Sequence, residues 1–321
     1  MYQDLLNKAA TYQYPEQIPV IVGMLPSVFM KYGDDLKKIL VKHDDLIASW
    51  WKDYENYDPH KDMPSSYRKG QFTDPWGCVW SNKFDGMESI VTEHPVKTRE
   101  DVHTMKLPDG DFGLPHGFMY LRLLDLRGFE EAMVDFVEEP PELQMLIDKV
   151  LNYNIKQVKL RLNHSEEKMI SFGDDLGMQN ALAIGPEKWR KYMKPCFSAI
   201  YKFCKDAGRL VYMHTDGCIF EIMQDLQECG VDMINPQYRA NGLDNLERVC
   251  KGKIPINLDL DRQLFPFCTP SEAKAHIKEC AERLYLPEGG LGLSIEIGHD
   301  YPLENIEAIF EAASEVRFYK G

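Results

Sequence analysis

The segment 209–217, RLVYMHTDG, constrains the fold more than any other part of this sequence. Its apolar and partly β-branched run ends abruptly in HTDG (214–217), which predicts a buried strand that delivers polar groups at its carboxyl end. A helical segment (219–229) and a second apolar strand (231–235) follow directly. Together they predict a βαβ unit, and in parallel sheets ligands bind beyond the carboxyl ends of the strands.

The same alternation extends along most of the chain. Seven apolar strand candidates begin at residues 18, 118, 168, 209, 231, 254 and 291, with helical segments between most of them. We expect the candidate at 118–126 (FMYLRLLDL) to be a barrel strand, and an eighth strand could lie in the irregular region 53–110. The pattern predicts an α/β protein with a single (β/α)₈ TIM barrel over residues 1–321. No GxGxxG or GxxxxGK[ST] motif favours a nucleotide-binding sheet instead.

The region 53–95 breaks the alternation and is rich in aromatic and turn residues. Trp76, Cys78 and Trp80 occupy alternate positions, which predicts a short antiparallel hairpin with its turn at residues 85–86 (Asp-Gly). We interpret this region as an insertion or lid over the barrel mouth and not as a separate domain, because few of its residues could form a core of their own. Core packing is the alternative role for its tryptophans.

Charge and cysteine usage exclude several classes of protein. Lys and Arg number 37 against 51 Asp and Glu, a formal net charge of −14, which opposes binding to nucleic acids or anionic membranes. No run of about 18 apolar residues predicts a membrane span, and the opening MYQDLLNKAATYQ lacks the order of a secretory signal. The eight cysteines form no CxxC pair, so neither a disulfide framework nor a four-cysteine zinc site is predicted. We expect a cytoplasmic protein.

Several short motifs together resemble the uroporphyrinogen decarboxylase superfamily. In chain order they are GDDLGMQ (173–179), PEKWRKYMKP (186–195), VYMHTDG (211–217), GVDMINPQ (230–237) and HDYPLENIEAIFEA (299–312). The resemblance covers most of the chain and is strongest over 115–315. Five motifs in the same order are far more specific than any one of them.

One branch of this superfamily decarboxylates uroporphyrinogen without a cofactor. Its members carry an arginine-containing N-terminal segment similar to MRQAGRY, which binds the carboxylates of the substrate. The corresponding stretch here, IPVIVGMLPSVFMKYG, contains no arginine. A substrate with eight carboxylates requires a strongly basic cavity, so the decarboxylase is our second hypothesis.

The other branch comprises cobamide-dependent methyltransferases, and the resemblance implies a zinc site. Members with established metal chemistry bind zinc through His-x-Cys after one strand and a Cys after the last strand. His214 matches the histidine, whereas Asp216 stands at the first cysteine position and Glu296 or His299 is nearest to the second. The implied zinc ligands are therefore His214 and Glu296, with Asp216 or Cys218, since zinc accepts N, S and O donors.

An oxygen-richer zinc site is most similar to that of O-demethylase methyltransferases, the methyltransferase I type. The implied reaction transfers a methyl group from a methylated substrate, for which we expect a methoxylated compound, to a Co(I) corrinoid. A separate corrinoid protein would carry the cobalamin, because the chain has no DxHxxG segment. A metal or an acid would stabilise the leaving oxygen. The candidate catalytic residues are Asp174, Asp175 and Asp216, and the candidate substrate-binding residues are Met24, Trp76, Gln179 and Asn235.

Other interpretations of these residues stay open from sequence alone. His214 could be a hydrogen-bonded histidine at a strand end, and Cys218 could belong to the core. We expect only one carboxylate of Asp174 and Asp175 to face the cavity, while the other caps a turn. A non-catalytic barrel that binds a methylated compound or a corrinoid partner is the third functional hypothesis.

Overall fold

A computed structural model describes residues 2–321 and shows an α/β fold. Nine strands are present among these residues, and six of them pair in parallel. The strands are β1 (Val20–Met24), β2 (Gly70–Thr73), β3 (Val79–Asn82), β4 (Ile90–Glu93), β5 (Met169–Gly173), β6 (Leu210–Thr215), β7 (Met233–Pro236), β8 (Ile256–Asp259) and β9 (Leu291–Ile297).

Helices connect most of the parallel strands. They are α1 (Tyr2–Ala10), α2 (Pro26–Lys42), α3 (Pro59–Asp62), α4 (Asp101–Thr104), α5 (Tyr120–Arg127), α6 (Phe129–Glu138), α7 (Pro141–His164), α8 (Gly185–Lys188), α9 (Lys194–Asp206), α10 (Met223–Glu228), α11 (Tyr238–Asn241), α12 (Leu243–Cys250), α13 (Pro270–Leu284) and α14 (Leu303–Val316). Short 3₁₀ turns lie at Asp44–Leu46, Ser49–Trp51 and Ser65–Tyr67, and one π-helical turn, Trp189–Met193, joins α8 to α9.

The chain divides into two compact units. The first unit contains residues 2–70, 82–89 and 237–321. Its strands pair in parallel in the order β1-β9-β8, with Val22 opposite Ile295. The side chains of β8 are buried along the whole strand, as expected for a parallel sheet covered on both faces.

The second unit contains residues 71–81 and 90–236. Its strands pair in parallel in the order β5-β6-β7. The register places Gly173, His214 and Asn235 side by side at the carboxyl ends of these three strands. This row is the starting point of the candidate site, because polar groups at this edge are the ones a parallel sheet offers to a ligand.

The antiparallel pairing predicted within 53–95 is confirmed, with different bounds. β3 pairs with β4 and also with β2, so the sheet has three strands. Trp76 and Cys78 precede β3, while the 85–86 pair lies in the loop from β3 to β4. The segment 53–95 is divided between the two units and does not form one of its own. Its role as a lid stays a prediction.

The strand predicted at 118–126 is wrong, because this segment forms the helix α5. Its buried residues Tyr120, Leu123 and Leu126 recur every three positions, which is helical spacing within a mostly apolar segment. The strands found within 53–110 are the antiparallel ones. The described residues therefore show six parallel strands, and a complete eight-stranded barrel stays a prediction.

Local residue types explain several helix ends. The helix α2 begins with Pro26, changes direction at Gly33 (φ +48°) and ends at Lys42. Thr269 caps α13 and forms a reciprocal capping box with Glu272. Two prolines, at 140–141, separate α6 from α7.

Among residues 2–321, no helix has both the length and the apolarity that a membrane span requires. The eight cysteines are free thiols, and seven of them are buried.

Candidate metal centre

Three potential metal ligands meet in the second unit. The side chains of His116, Asp175 and His214 each offer one ligand atom, and these atoms all lie within 4.8 Å of one another. His214 is near the end of β6, Asp175 follows β5, and His116 precedes α5. The side chains are accessible, with exposed fractions of 47% for His116 and 29% for the other two. A small ion or molecule can therefore reach them.

His214 is oriented by the neighbouring strand. Its Nδ1 lies 2.8 Å from Oδ1 of Asn235, the residue paired with it on β7. With the proton on Nδ1 donated to this oxygen, the lone pair of the ring lies on Nε2, the nitrogen that faces Asp175 and Asp216. Nε2 lies 3.3 Å from Oδ1 of Asp216 and 4.0 Å from Oδ1 of Asp175.

His116 pairs with the other oxygen of Asp175. Its Nε2 lies 3.0 Å from Oδ2 of Asp175, and the rings of His116 and His214 are 5.5 Å apart. Burial lowers the pKa of His116, but the hydrogen bond and charge of Asp175 outweigh it, so this pKa is raised. Burial acts to raise the pKa of Asp175, and His116 overcomes it, so this pKa is lowered. The carboxylate of Asp175 is thus kept ionised.

The absence of a side chain at Gly173 makes room for His116. A Cβ atom at Gly173 would lie 2.5 Å from Nδ1 of His116, which is closer than real Cβ atoms approach a ring. The backbone N–H of Gly117 also donates to the carbonyl oxygen of Gly173 at 2.8 Å. The segment that carries His116 is therefore packed directly against the end of β5.

The loops after β5 and β6 are joined where two glycines cross. A Cβ atom at Gly217 (φ +85°) would lie 2.1 Å from the carbonyl carbon of Gly177. Near this crossing the N–H of Asp216 donates to Oδ1 of Asp175 at 3.0 Å, and the N–H of Cys218 donates to the carbonyl of Met178 at 2.8 Å. The glycines of the GDDLGMQ and HTDG motifs thus permit the close approach that brings Asp175 beside His214.

Asp174 lies in the interior of the second unit. Its side chain accepts hydrogen bonds from the backbone N–H groups of Met119 (3.2 Å), Tyr120 (2.5 Å) and Leu121 (2.9 Å), at the first turn of α5. Burial raises the pKa of Asp174 to about 7, against the opposing effect of these hydrogen bonds. Asp174 is fully buried, so of the two adjacent carboxylates it is Asp175 that reaches the accessible cluster.

The other predicted metal ligands do not belong to this cluster. Cys218 is buried beside the glycine crossing, and burial raises the pKa of its thiol. Glu296 lies in the first unit, where its Oε1 is 2.9 Å from a guanidinium nitrogen of Arg262. Asp216 lies next to His214 as described. The ligand roles of Cys218 and Glu296 stay predictions.

The predicted substrate-binding residues lie in different surroundings. Asn235 binds His214, and Gln179 is exposed in the loop after β5. Trp76 is buried with its ring 4.7 Å from that of Tyr153, edge to face. Met24 is a buried residue of β1 in the first unit. Trp76 therefore has the packing environment that was the alternative to a role at a lid.

His116 was not predicted from the sequence. It stands in the PHGF segment (115–118) just before α5. The strand predicted at 118–126 would have placed His116 at the amino end of that strand, away from the edge of the sheet at which ligands bind. The correct assignment of α5 as a helix was the missing step, because a histidine before a helix can lie at the ligand-binding edge of a parallel sheet.

Comparison with protein families identifies the chain. The family model for uroporphyrinogen decarboxylase (URO-D) matches residues 123–316, more than half of the sequence. The chain belongs to the uroporphyrinogen decarboxylase family. The matched residues include Asp175 and His214, whereas His116 precedes them. A search of curated proteins finds no match.

Solved structures provide a second comparison. A methyltransferase from Methanosarcina mazei is 15% identical, has a TM-score of 0.66, and is aligned over 98% of each chain. At this identity the similarity shows a shared fold. A dihydropteroate synthase from Xanthomonas albilineans (14% identity, TM-score 0.32) covers 49% of this chain and 58% of its own. The YdjI aldolase from Escherichia coli (12% identity, TM-score 0.25) covers 52% and 84%. The TM-scores of the last two structures are too low to indicate a shared overall fold.

Proposed function

We propose that this chain is a metal-assisted methyltransferase of the uroporphyrinogen decarboxylase family, with the metal held by His116, Asp175 and His214. The convergence of these three ligand atoms within 4.8 Å is the observation that carries the proposal. Zinc is the expected metal, since two imidazoles and a carboxylate form a ligand set of the catalytic type, with one position left for substrate.

The geometry of the cluster fits zinc. Tetrahedral bonds of about 2.0–2.2 Å would place neighbouring ligand atoms roughly 3.3–3.6 Å apart. The Nε2 atoms of His116 and His214 lie 3.0 and 4.0 Å from the oxygens of Asp175, so small side-chain movements would suffice. Asn235 supports this fit, because it fixes the His214 tautomer that leaves Nε2 available.

The metal would act as a Lewis acid at the oxygen of a methyl ether, and a Co(I) corrinoid on a partner protein would accept the methyl group. As the methyl–oxygen bond breaks, its electron pair stays on the oxygen, which needs a positive group or a proton. Asp216 would pass a proton to that oxygen, since its Oδ1 lies 3.3 Å from Nε2 of His214. The name of the Methanosarcina mazei neighbour and the motif resemblance support methyl transfer.

A cofactor-free decarboxylase is the second candidate, because the matching family model describes that activity. In that case Asp175 would hold His116 protonated, and the imidazolium would donate a proton to the carbon that loses CO₂. This alternative requires no metal and predicts that chelators leave activity unchanged.

The test is methyl transfer to free cob(I)alamin from a panel of methoxylated aromatic compounds. We expect the visible spectrum to change as methylcobalamin forms, and dialysis against a chelator should abolish the reaction until zinc is restored. The His116→Ala and His214→Ala variants should be inactive, whereas His164→Ala, at the exposed end of α7, should match the wild type. Turnover that survives chelation, or CO₂ release from a carboxylated substrate, would contradict the proposal.

A further inference from the structure

We infer that Asp174 is a positioning residue that holds His116 in the metal centre through the backbone of residues 119–121. The inference rests on the proposed metal centre and adds a residue whose carboxylate need not touch metal or substrate. Sequence alone suggested a catalytic aspartate at this position. The geometry points to a structural connection between β5 and the segment that carries His116.

Asp174 is buried, and its carboxylate is hydrogen-bonded to backbone N–H groups. The side chain is fully buried, and its two oxygens accept three backbone N–H groups: Oδ2 from Met119 and Tyr120, and Oδ1 from Leu121. These donors belong to the start of α5, where helix N–H groups have no partner within the helix. A negative charge at this end is also favoured by the helix dipole.

His116 lies close in sequence to the backbone groups that Asp174 binds. Only Gly117 and Phe118 separate His116 from the residues that Asp174 binds. The N–H of Gly117 is itself held by the carbonyl oxygen of Gly173. The backbone is thus fixed on the carboxyl side of His116, which restricts where the imidazole can lie.

The carboxyl end of β5 makes all of the contacts that hold the His116 segment. Gly173 leaves space for the ring of His116, Asp174 binds the backbone beyond it, and Asp175 binds its Nε2. The two other members of the centre come directly from the strand β6 and the end of β5, whereas His116 comes from a loop. It is therefore the ligand that most needs an additional support.

The experiment measures zinc affinity by competition with a chromophoric chelator. Asp174→Asn keeps the shape of the side chain but turns an N–H donor toward backbone donors. We expect it to weaken zinc binding by about 10–100-fold, the range for residues that orient metal ligands. Asp135→Asn is the matched control, because Asp135 is also buried in this unit but binds Arg99 and Arg127. It should lose stability and keep its zinc affinity.

A double-mutant cycle separates positioning from a general structural effect. If Asp174 acts through His116, then Asp174→Asn should weaken zinc binding in the wild-type background and have little further effect in His116→Ala. Hydrogen exchange of the Tyr120 and Leu121 amides should accelerate in Asp174→Asn whether or not zinc is present. Equal losses in both backgrounds would overturn the inference.

Gly173→Ala covers the case in which Asp174→Asn fails to fold. It leaves the Asp174 carboxylate in place and directs a methyl group at His116, so zinc affinity should fall to that of His116→Ala. A folded Gly173→Ala protein with wild-type affinity would also overturn the inference. Failure of the wild type itself to bind zinc would contradict the proposed function, and the two failures are thereby distinguished.

Discussion

His214 and Asn235, paired on adjacent parallel strands, are joined by a 2.8 Å hydrogen bond between Nδ1 and Oδ1. With the proton on Nδ1, this bond leaves the lone pair of the ring on Nε2, the nitrogen that we propose binds the metal. Asn235 was predicted from the sequence to bind substrate, and its side-chain oxygen lies beside the His214 ring. Its contribution can be tested without altering any of the three proposed ligands.

Replacing Asn235 with leucine should weaken zinc binding by about 10–100-fold, because the His214 ring loses its orienting acceptor. Asn235→Asp keeps an acceptor at the same place and should bind zinc much more tightly than the leucine variant. Calorimetric titration of both proteins with zinc is the measurement. Equal affinities for the two variants would show that the hydrogen bond does not orient the ligand.

The crossing of Gly177 and Gly217 predicts a large effect of a single methyl group. Gly217→Ala places a Cβ 2.1 Å from a backbone carbon, so the two loops must separate, and we expect a loss well above 3 kcal/mol in the free energy of unfolding. Gly208→Ala is the matched control. Gly208 also has a positive φ (+69°), but no atom lies within 4 Å of the added carbon, so it should cost only about 1 kcal/mol. Urea unfolding would reveal the difference, and similar values for both variants would be evidence against the crossing.

A buried ion pair anchors the antiparallel sheet region to α5. Oδ2 of Asp74 lies 2.8 Å from the guanidinium of Arg122, and the same oxygen accepts the indole N–H of Trp80 at 3.1 Å. Asp74→Asn leaves the buried Arg122 with the more distant carboxylate of Asp125, 3.6 Å away, and should reduce the free energy of unfolding by about 3 kcal/mol. Asp35→Asn removes an exposed partner of Lys38 and should change it by less than about 1 kcal/mol. Comparable effects of the two substitutions would contradict this.

His276 predicts acid sensitivity. Its Nε2 accepts the backbone N–H of Asp261 at 3.2 Å, which only the neutral ring can do, and burial lowers the pKa of His276 to about 4. Below about pH 6.5 the unfolded chain gains a proton at this residue that the folded chain does not. Stability from this residue is therefore complete above pH 6.5 and is lost as the pH falls toward 4, at up to about 1.4 kcal/mol per pH unit.

The measurement for this prediction is urea unfolding at several pH values between 4.5 and 7. His276→Gln keeps a hydrogen-bond acceptor but does not titrate, so its stability should fall less steeply than that of the wild type. Parallel curves for the two proteins would rule out a contribution from His276. Replacing His164, which is exposed, should leave the slope unchanged.

Local sequence patterns predicted those parts of the fold in which neighbours along the chain determine the structure. The apolar run before His214 and the strand β9 lie where the sequence placed them. The helix α5 was misassigned, because its amino end is supported by a group distant in sequence, the carboxylate of Asp174, which accepts the backbone N–H of Tyr120. The residues 118–126 alone do not indicate that this contact forms.

The candidate site was predictable to the same limited extent. His214 lies near the end of β6, Asp175 and Asp216 follow strands, and all three were predicted as site residues for that reason. His116 depends on the absence of a side chain at Gly173 and on backbone bonds to Asp174, and neither is visible before the chain is folded. The resemblance to zinc enzymes also suggested Cys218 and Glu296 as ligands, and these roles stay predictions.

We propose that His116, Asp175 and His214 bind one metal ion. Elemental mass spectrometry of protein purified without added metal, compared with the His116→Ala and His214→Ala variants, tests it most directly. We predict about one zinc per wild-type chain and a much lower zinc content in both variants. A wild-type protein without zinc that also fails to bind it on titration, or variants that retain full zinc content, would contradict the account.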